Sequence, residues 1–293
     1  MRLLRGRSWL NGALALWSAA VFVFLFAPIV TVVVFSFNKG VLGKQTANFT
    51  GFTTSWYPEA WGNFALRHDV GVSFKAALGV AVIATVLGTL TGFTLVRGRP
   101  RALRLILEGL VYLLLIVPEI VLAVSLLLFY TKAGISLGLL PLVAGHTPFT
   151  IAVVAIIVRS RVVALDRAAE DAAADLGAGG WRTFWDVVFP QLRPAMFAGA
   201  ILAFTFSFDD LVISLFLTTP TVTTLPVYLF GTVRLGARPD VDAIAAMMLA
   251  FTLTVLVVAG LAYRWQARRS GARLEFGEVL APNAESSLVT GAP

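Results

Sequence analysis

Apolar residues along this chain fall in long stretches, each near the roughly twenty residues that an α-helix needs to cross a bilayer. Six such stretches occupy residues 10–37, 71–96, 105–130, 139–158, 194–217 and 241–263. They predict helices, because an open strand in lipid leaves its backbone N–H and C=O groups unpaired. Arg2, Arg5 and Arg7 precede the first, as in a secretory signal, but its apolar part is about twice as long as a signal's hydrophobic region. It is read as an anchor that stays. The expectation is an all-α polytopic membrane protein with six transmembrane helices.

The polar connectors set the orientation, since Lys and Arg are retained on the cytoplasmic side. The N-terminus, the second and fourth connectors and the C-terminal segment hold sixteen of the 23 basic residues; the opposite side holds seven, six in its connectors and Lys75 near the outer end of the second run. Both termini are therefore expected in the cytoplasm. Residues 1–9 form a cytoplasmic N-terminus, 10–263 the membrane domain and 264–293 a cytoplasmic tail. The tail, polar and rich in small residues from Ser270, is expected to lack a fixed fold.

Two external segments, 38–70 and 218–240, are long enough to matter. In the first, Trp56, Tyr57 and Trp61 suit a short helix at the membrane interface, where aromatic rings anchor. Gly40–Lys44 looks like a phosphate loop, but its spacing is too short and Gln45 stands where a magnesium-binding hydroxyl belongs. Asn48, Phe49 and Thr50 fit a glycosylation sequon without further meaning. Gly88 and Gly92 form a GxxxG that predicts a close helix contact.

Composition narrows the chemistry. Hydrophobic residues make up 58% and charged residues 13%, so the bilayer is the main solvent. Without cysteine there is no disulfide, thiolate metal site or cysteine nucleophile, and His68 and His146 are too few for a multi-histidine metal site. The net charge of +7 is scattered singly at the ends of apolar runs, which fits membrane topology rather than nucleic acid. No phosphate-binding loop or magnesium-carboxylate pattern is found, so no cofactor is expected and any ATP is hydrolysed by a partner.

Three carboxylates interrupt the apolar runs. Asp209 and Asp210, within FSFDDLVISLF, lie about 22–24 Å up a straight fifth span, and Glu119, after Pro118, about 21 Å up the third. Such groups face the bundle interior or a wet cavity, which makes them candidates for a functional site. Residues three and four apart share a helix face, so Ser207, Asp210 and Ser214 form one stripe and Asp210 is the expected pathway residue. Asp209 groups with Thr205, Phe206, Ile213 and Phe216 and supports it. An acidic layer selects cations. Phe204, Phe206, Phe208 and Phe216 add apolar and cation–π contact suited to an alkyl ammonium, whereas a metal ion wants a tight oxygen cage. The competing expectation is that the acids pair with Lys75 or backbone donors and only hold the bundle together. His146, near the outer end of the fourth span, is expected to hydrogen-bond at a helix end rather than to relay protons.

The connector at 159–193 is far longer than a turn between helices requires. Residues 168–176 predict a helix ended by Gly177, Gly179 and Gly180, and 181–188 a second that stops before Pro190. Trp181, Phe184, Trp185, Val188 and Phe189 give that second helix an apolar face. The run DAAADLGAGGWRTFWDVVFP resembles the signature of inner-membrane permease subunits of ATP-binding-cassette importers: E-A-A, three residues, Gly, nine residues, Ile, one residue, Leu-Pro. Asp171, Ala172, Ala173, Gly177, Val187, Phe189 and Pro190 fall on it without a gap. Asp171 replaces the usual Glu and Glu170 precedes it, leaving two carboxylates for that role. The resemblance implies a type I importer permease fold and a short coupling helix seated in an ATPase subunit, here involving Trp181 and Trp185.

FSFDDLVISLFLTTP, TLPVYLFGTVRLGARPDVDAIA and LLIVPEIVLAVSLLLFY are similar to the second permease subunit of polyamine (spermidine/putrescine) importers. That resemblance implies an ATPase dimer, a second homologous permease subunit and an extracytoplasmic substrate-binding protein, with the chain in a bacterial inner membrane. Relatives carrying ferric ion, betaine-like solutes or aminophosphonates are the alternative. A lone ion-coupled carrier has no use for the coupling loop, and an intramembrane enzyme lacks a Ser–His, GxGD or HExxH constellation.

Overall fold

The structure, a computed structural model, describes residues 3–236 and 238–269. The tail from Ser270 and Arg2 of the basic N-terminus lie outside the described residues. Every regular element among them is helical. The described residues up to Thr252 form one compact unit, and those from Leu253 another, in which Leu253, Val257, Val258 and Leu261 expose apolar side chains.

Helix α1, Leu3–Phe35, contains the first apolar run, and its most apolar stretch is wholly unburied within this chain. A helix apolar on all sides and uncovered by its own chain requires lipid or another subunit around it. The loop after it is a hydrogen-bonded unit centred on buried Asn38. Its amide donates to Gln45 Oε1 at 2.8 Å and accepts from the Thr50 backbone at 2.7 Å, while Trp56 Nε1 donates to its carbonyl at 2.9 Å. Helix α2, Trp56–Gly62, is the short aromatic helix expected there. Trp56 and Tyr57 bond back to Asn38 and Ser36, so two of its aromatics tie the loop together.

Helix α3, Phe64–Arg97, begins where the Asn63 side chain accepts from Ala65 and Leu66 backbone N–H groups, a cap that fixes the start of the span. Next come α4, Arg101–Ile116, α5, Glu119–Lys132, and α6, Leu139–Val163. The predicted third span is thus two helices, bent by 106° at Val117 and Pro118. Proline has no N–H and drives the residue before it out of helical backbone.

The long connector folds as α7, Ala168–Asp175, and α8, Gly180–Thr183, followed by a π-helical turn, Phe184–Val188, and α9, Phe189–Phe208. Contrary to expectation, the helix does not stop at Pro190. The wider turn, with Phe189 N–H reaching Phe184 O, accommodates a proline that would clash in a regular helix. The fifth span breaks instead at Asp209–Leu211, before α10, Val212–Leu217. Helix α11, Leu225–Leu235, an apolar helix inside what was read as a polar connector, precedes α12, Pro239–Arg269.

Helices α3, α6 and α9 pack as the centre of the bundle. Gly88 and Gly92 make the expected close contact: a Cβ on Gly88 would lie 2.6 Å from Val154 Cβ, and one on Gly92 2.5 Å from Ala155 O. Ala81, Ala84, Val154, Val158, Leu192 and Ala203 fill the core around that contact.

Candidate functional site

Two spans break beside one another. Val117 and Pro118 are extended, and Glu119 opens α5. Asp209 closes α9 with φ −93° and ψ 0°, and α10 restarts at Val212. Ala123, Ile213 and Leu217 share one apolar cluster, which holds α5 and α10 together. The acids come together through these breaks rather than through equal heights on two straight helices. Glu119, Phe206, Asp209 and Asp210 line one cleft of about 440 Å³.

Adjoining this cleft is a small pocket of about 30 Å³ between Glu119, Asp210, Ser207 and His146. The His146 ring is buried and, as expected, bonds at helix ends, but these are the facing ends of α9 and α10 rather than an end of its own helix. Its Nδ1 is 2.8 Å from Ser207 Oγ, and its Nε2 is 3.1 Å from Asp210 Oδ1 and 3.2 Å from Ser214 Oγ. A carboxylate only accepts, so the network assigns the proton on Nε2 and leaves Nδ1 to accept from the Ser207 hydroxyl. Asp210 Oδ1 also accepts from Ser214 N–H at 2.9 Å and so caps the first turn of α10. Ser207, Asp210 and Ser214 meet on one imidazole. The sequence carried one signal for His146, an ionisable ring inside an apolar span, but not which groups it meets.

Asp209 lines the cleft but does not join the imidazole, and its carboxylate accepts from Thr252 Oγ1 at 3.3 and 3.4 Å. Of the face assigned to it, Thr205 and Phe206 share the cleft, while Ile213 and Phe216, beyond the break, pack with α5. Glu119 and Asp210 are close enough for their carboxyls to interact. Among the described residues no Lys or Arg forms an ion pair with any of the three acids, and Lys75 lines a different groove. Of the four phenylalanines, only Phe206 lines the cleft, braced edge-on by Phe149 at 5.5 Å. Phe204 and Phe208 stack on each other and meet Phe251 at a tilt, and Phe216 packs into the cluster around α5 and α10.

In the connector, Ala178 N–H bonds Ala173 O and Gly177 N–H bonds Ala174 O, with Gly177 at φ +82°. This paired pattern closes α7 and needs a left-handed residue at Gly177. Glu170 pairs with Arg97 at 2.8 Å, whereas Asp171 and Ala172 are exposed and Ala173 is half-buried. The apolar face divides. Phe184 and Val188 pack into the core, while Trp181 is 77% and Leu176 89% exposed and Trp185 stacks between Trp181 and Phe189. Pro190 is half-buried inside the continuous helix.

The structure thus joins membrane-length helices broken at acid residues to an apolar helical connector left uncovered. The chain belongs to the family of binding-protein-dependent transport system inner membrane components, which matches residues 84–271. It is a multi-pass inner-membrane transport subunit, not an enzyme. The putrescine transport system permease protein PotI of Escherichia coli K12 is 35% identical over 263 residues, covering 86% of this chain and 90% of that protein. The spermidine/putrescine transport system permease protein PotC of Shigella flexneri is 34% identical over 252 residues, covering 86% and 94%. The fold is that of the membrane subunits of ATP-binding-cassette importers. A bacterial transporter that imports the acidic polysaccharide alginate matches with a TM-score of 0.64 at 17% identity, over 84% of this chain and 93% of that one. The MetNI methionine transporter matches with 0.58 at 16% identity, over 71% and 97%.

Proposed function

We propose that this chain is the permease subunit that passes a cationic polyamine inward for an ATP-binding-cassette importer. It works with a second, homologous permease, a pair of ATPase subunits and an external substrate-binding protein, and both its termini are cytoplasmic. The observation that carries this reading is the grouping of Asp209, Asp210 and Glu119 around one cleft at two helix breaks. Carboxylates held together in a water-poor bundle repel, and an alkyl ammonium beside them relieves that repulsion. Phe206 offers an aromatic wall to the methylenes and the ammonium group. Breaks in membrane helices at a midplane site recur in alternating-access carriers, where half-helices move around the bound solute. Exposed Leu176 and Trp181 form the apolar surface by which the connector docks on the ATPase, so that nucleotide-driven closure moves α9 and its acids.

Competition for uptake of labelled spermidine, in cells carrying the whole transport system, tests the substrate class. Putrescine and unlabelled spermidine are expected to compete, and glycine betaine and ferric ion to have no effect. Competition by betaine or iron alone would reject a polyamine site.

A further inference from the structure

Between α3 and α12, with Phe208 of α9 at its wall, lies a groove of about 400 Å³, lined almost wholly by carbon, with Phe74, Met247, Met248 and Phe251 among its other walls. Two cations edge it, Arg67 and Lys75. Neither forms an ion pair among the described residues. Lys75 lies about 16 Å along α3 from Phe64, inside an apolar span, where an unpartnered ammonium is costly. A cationic substrate has no use for it.

Arg67, Gly71 and Lys75 follow one another at intervals of four on a single face of α3. Gly71 also lines the groove, and a Cβ there would meet nothing within 4 Å. Glycine is a poor choice inside a helix unless its missing side chain is used. Here it leaves an open floor between two cations, and the flexible stem of Lys75 can rise toward Arg67. An anionic head at Gly71, followed by methylenes along phenylalanines and adaptable methionines, matches the groove in charge and in polarity.

We infer that this groove holds an anionic glycerophospholipid, its phosphate seated between Arg67 and Lys75 over Gly71 and one acyl chain along Phe208 and Met248. The site is separate from the acidic cleft and does not depend on which solute that cleft carries. Trp61, from α2, lines the groove and marks the level of the membrane surface.

The test is lipid retention by the full-length chain, purified with its partner subunits and exchanged into mixed micelles of dioleoylphosphatidylglycerol and dioleoylphosphatidylcholine, read by native mass spectrometry. Two basic groups near one phosphate predict a preference of roughly tenfold for the glycerol lipid. Removal of both charges, in Arg67→Gln with Lys75→Gln, should abolish the preference, and Lys75→Arg should keep it. Gly71→Leu fills the floor from open space, so it should leave thermal unfolding unchanged while neither lipid is retained. Because the chain has no cysteine, Gly71→Cys supplies a unique thiol for cross-linking. Equal retention of both lipids by the unsubstituted protein would overturn the proposal, as would an unchanged preference in the double variant. Efficient cross-linking of that thiol to the partner permease would show a protein occupant and overturn it as well.

Discussion

At residue scale the site turns on His146. Its ring joins three groups from the fifth span, Ser207 before the break, Asp210 within it and Ser214 after it, so one side chain from α6 holds both half-helices in register. Leaving a buried donor or acceptor unpaired costs about 1–3 kcal/mol. His146→Ala is therefore expected to lower thermal stability of the purified complex by that order and to raise the half-saturation concentration for uptake. His146→Asn keeps a donor and an acceptor and should recover part of both. Unchanged stability in the alanine variant would mean that the hydroxyls and Asp210 satisfy one another without the ring. Hydropathy placed His146 near a span's outer end. Only the packing of α6 between α3 and α9 brings it to the centre, and no local pattern carries that information.

At the scale of elements, helix existence was legible and helix continuity less so. Runs of apolar residues located every span, because backbone groups in lipid have no alternative to helix. The break at Val117–Pro118 has a local cause in the proline, but its angle is set by what α5 packs against. Asp209–Leu211 contains neither proline nor glycine, and the break there rests on tertiary contacts, including the bond from His146 and the cap that Asp210 gives α10. The stripe argument still grouped Ser207, Asp210 and Ser214, since three- and four-residue spacing survives a short interruption. Phe204, Phe206 and Phe208 alternate around the helix, so only one of them meets the cleft. The end of α7 was readable because left-handed backbone at Gly177 is a glycine position. A β-branched residue there costs about 1–2 kcal/mol. Gly177→Val is thus expected to loosen the connector, and co-purification with the ATPase should fall while the chain still reaches the membrane. Gly177→Asn should lose less, because asparagine tolerates this conformation. Equal recovery of the ATPase with Val and with glycine would remove the turn from the docking surface.

Across the whole molecule, one division of labour emerges. Helices α3, α6 and α9 form a close-packed centre with glycine contacts at Gly88 and Gly92, which resists deformation. Against it pack shorter pieces, α5 and α10, each begun at a break and carrying or adjoining the acids. The connector leaves Leu176 and Trp181 uncovered, and α1 finds no cover within its own chain. These surfaces explain why the chain is a subunit of a larger assembly, and the family's dependence on a binding protein accords with that. The most direct test of the account replaces Asp210 by Asn, which is near in shape and keeps an oxygen for the Ser214 N–H but carries no charge. Losing a charge-assisted interaction with an ammonium predicts that polyamine uptake falls by about tenfold or more, while the amount of ATPase recovered with the chain stays the same. Uptake equal to that of the unsubstituted transporter would contradict the account, leaving Asp210 as a helix cap and the cleft without its cation.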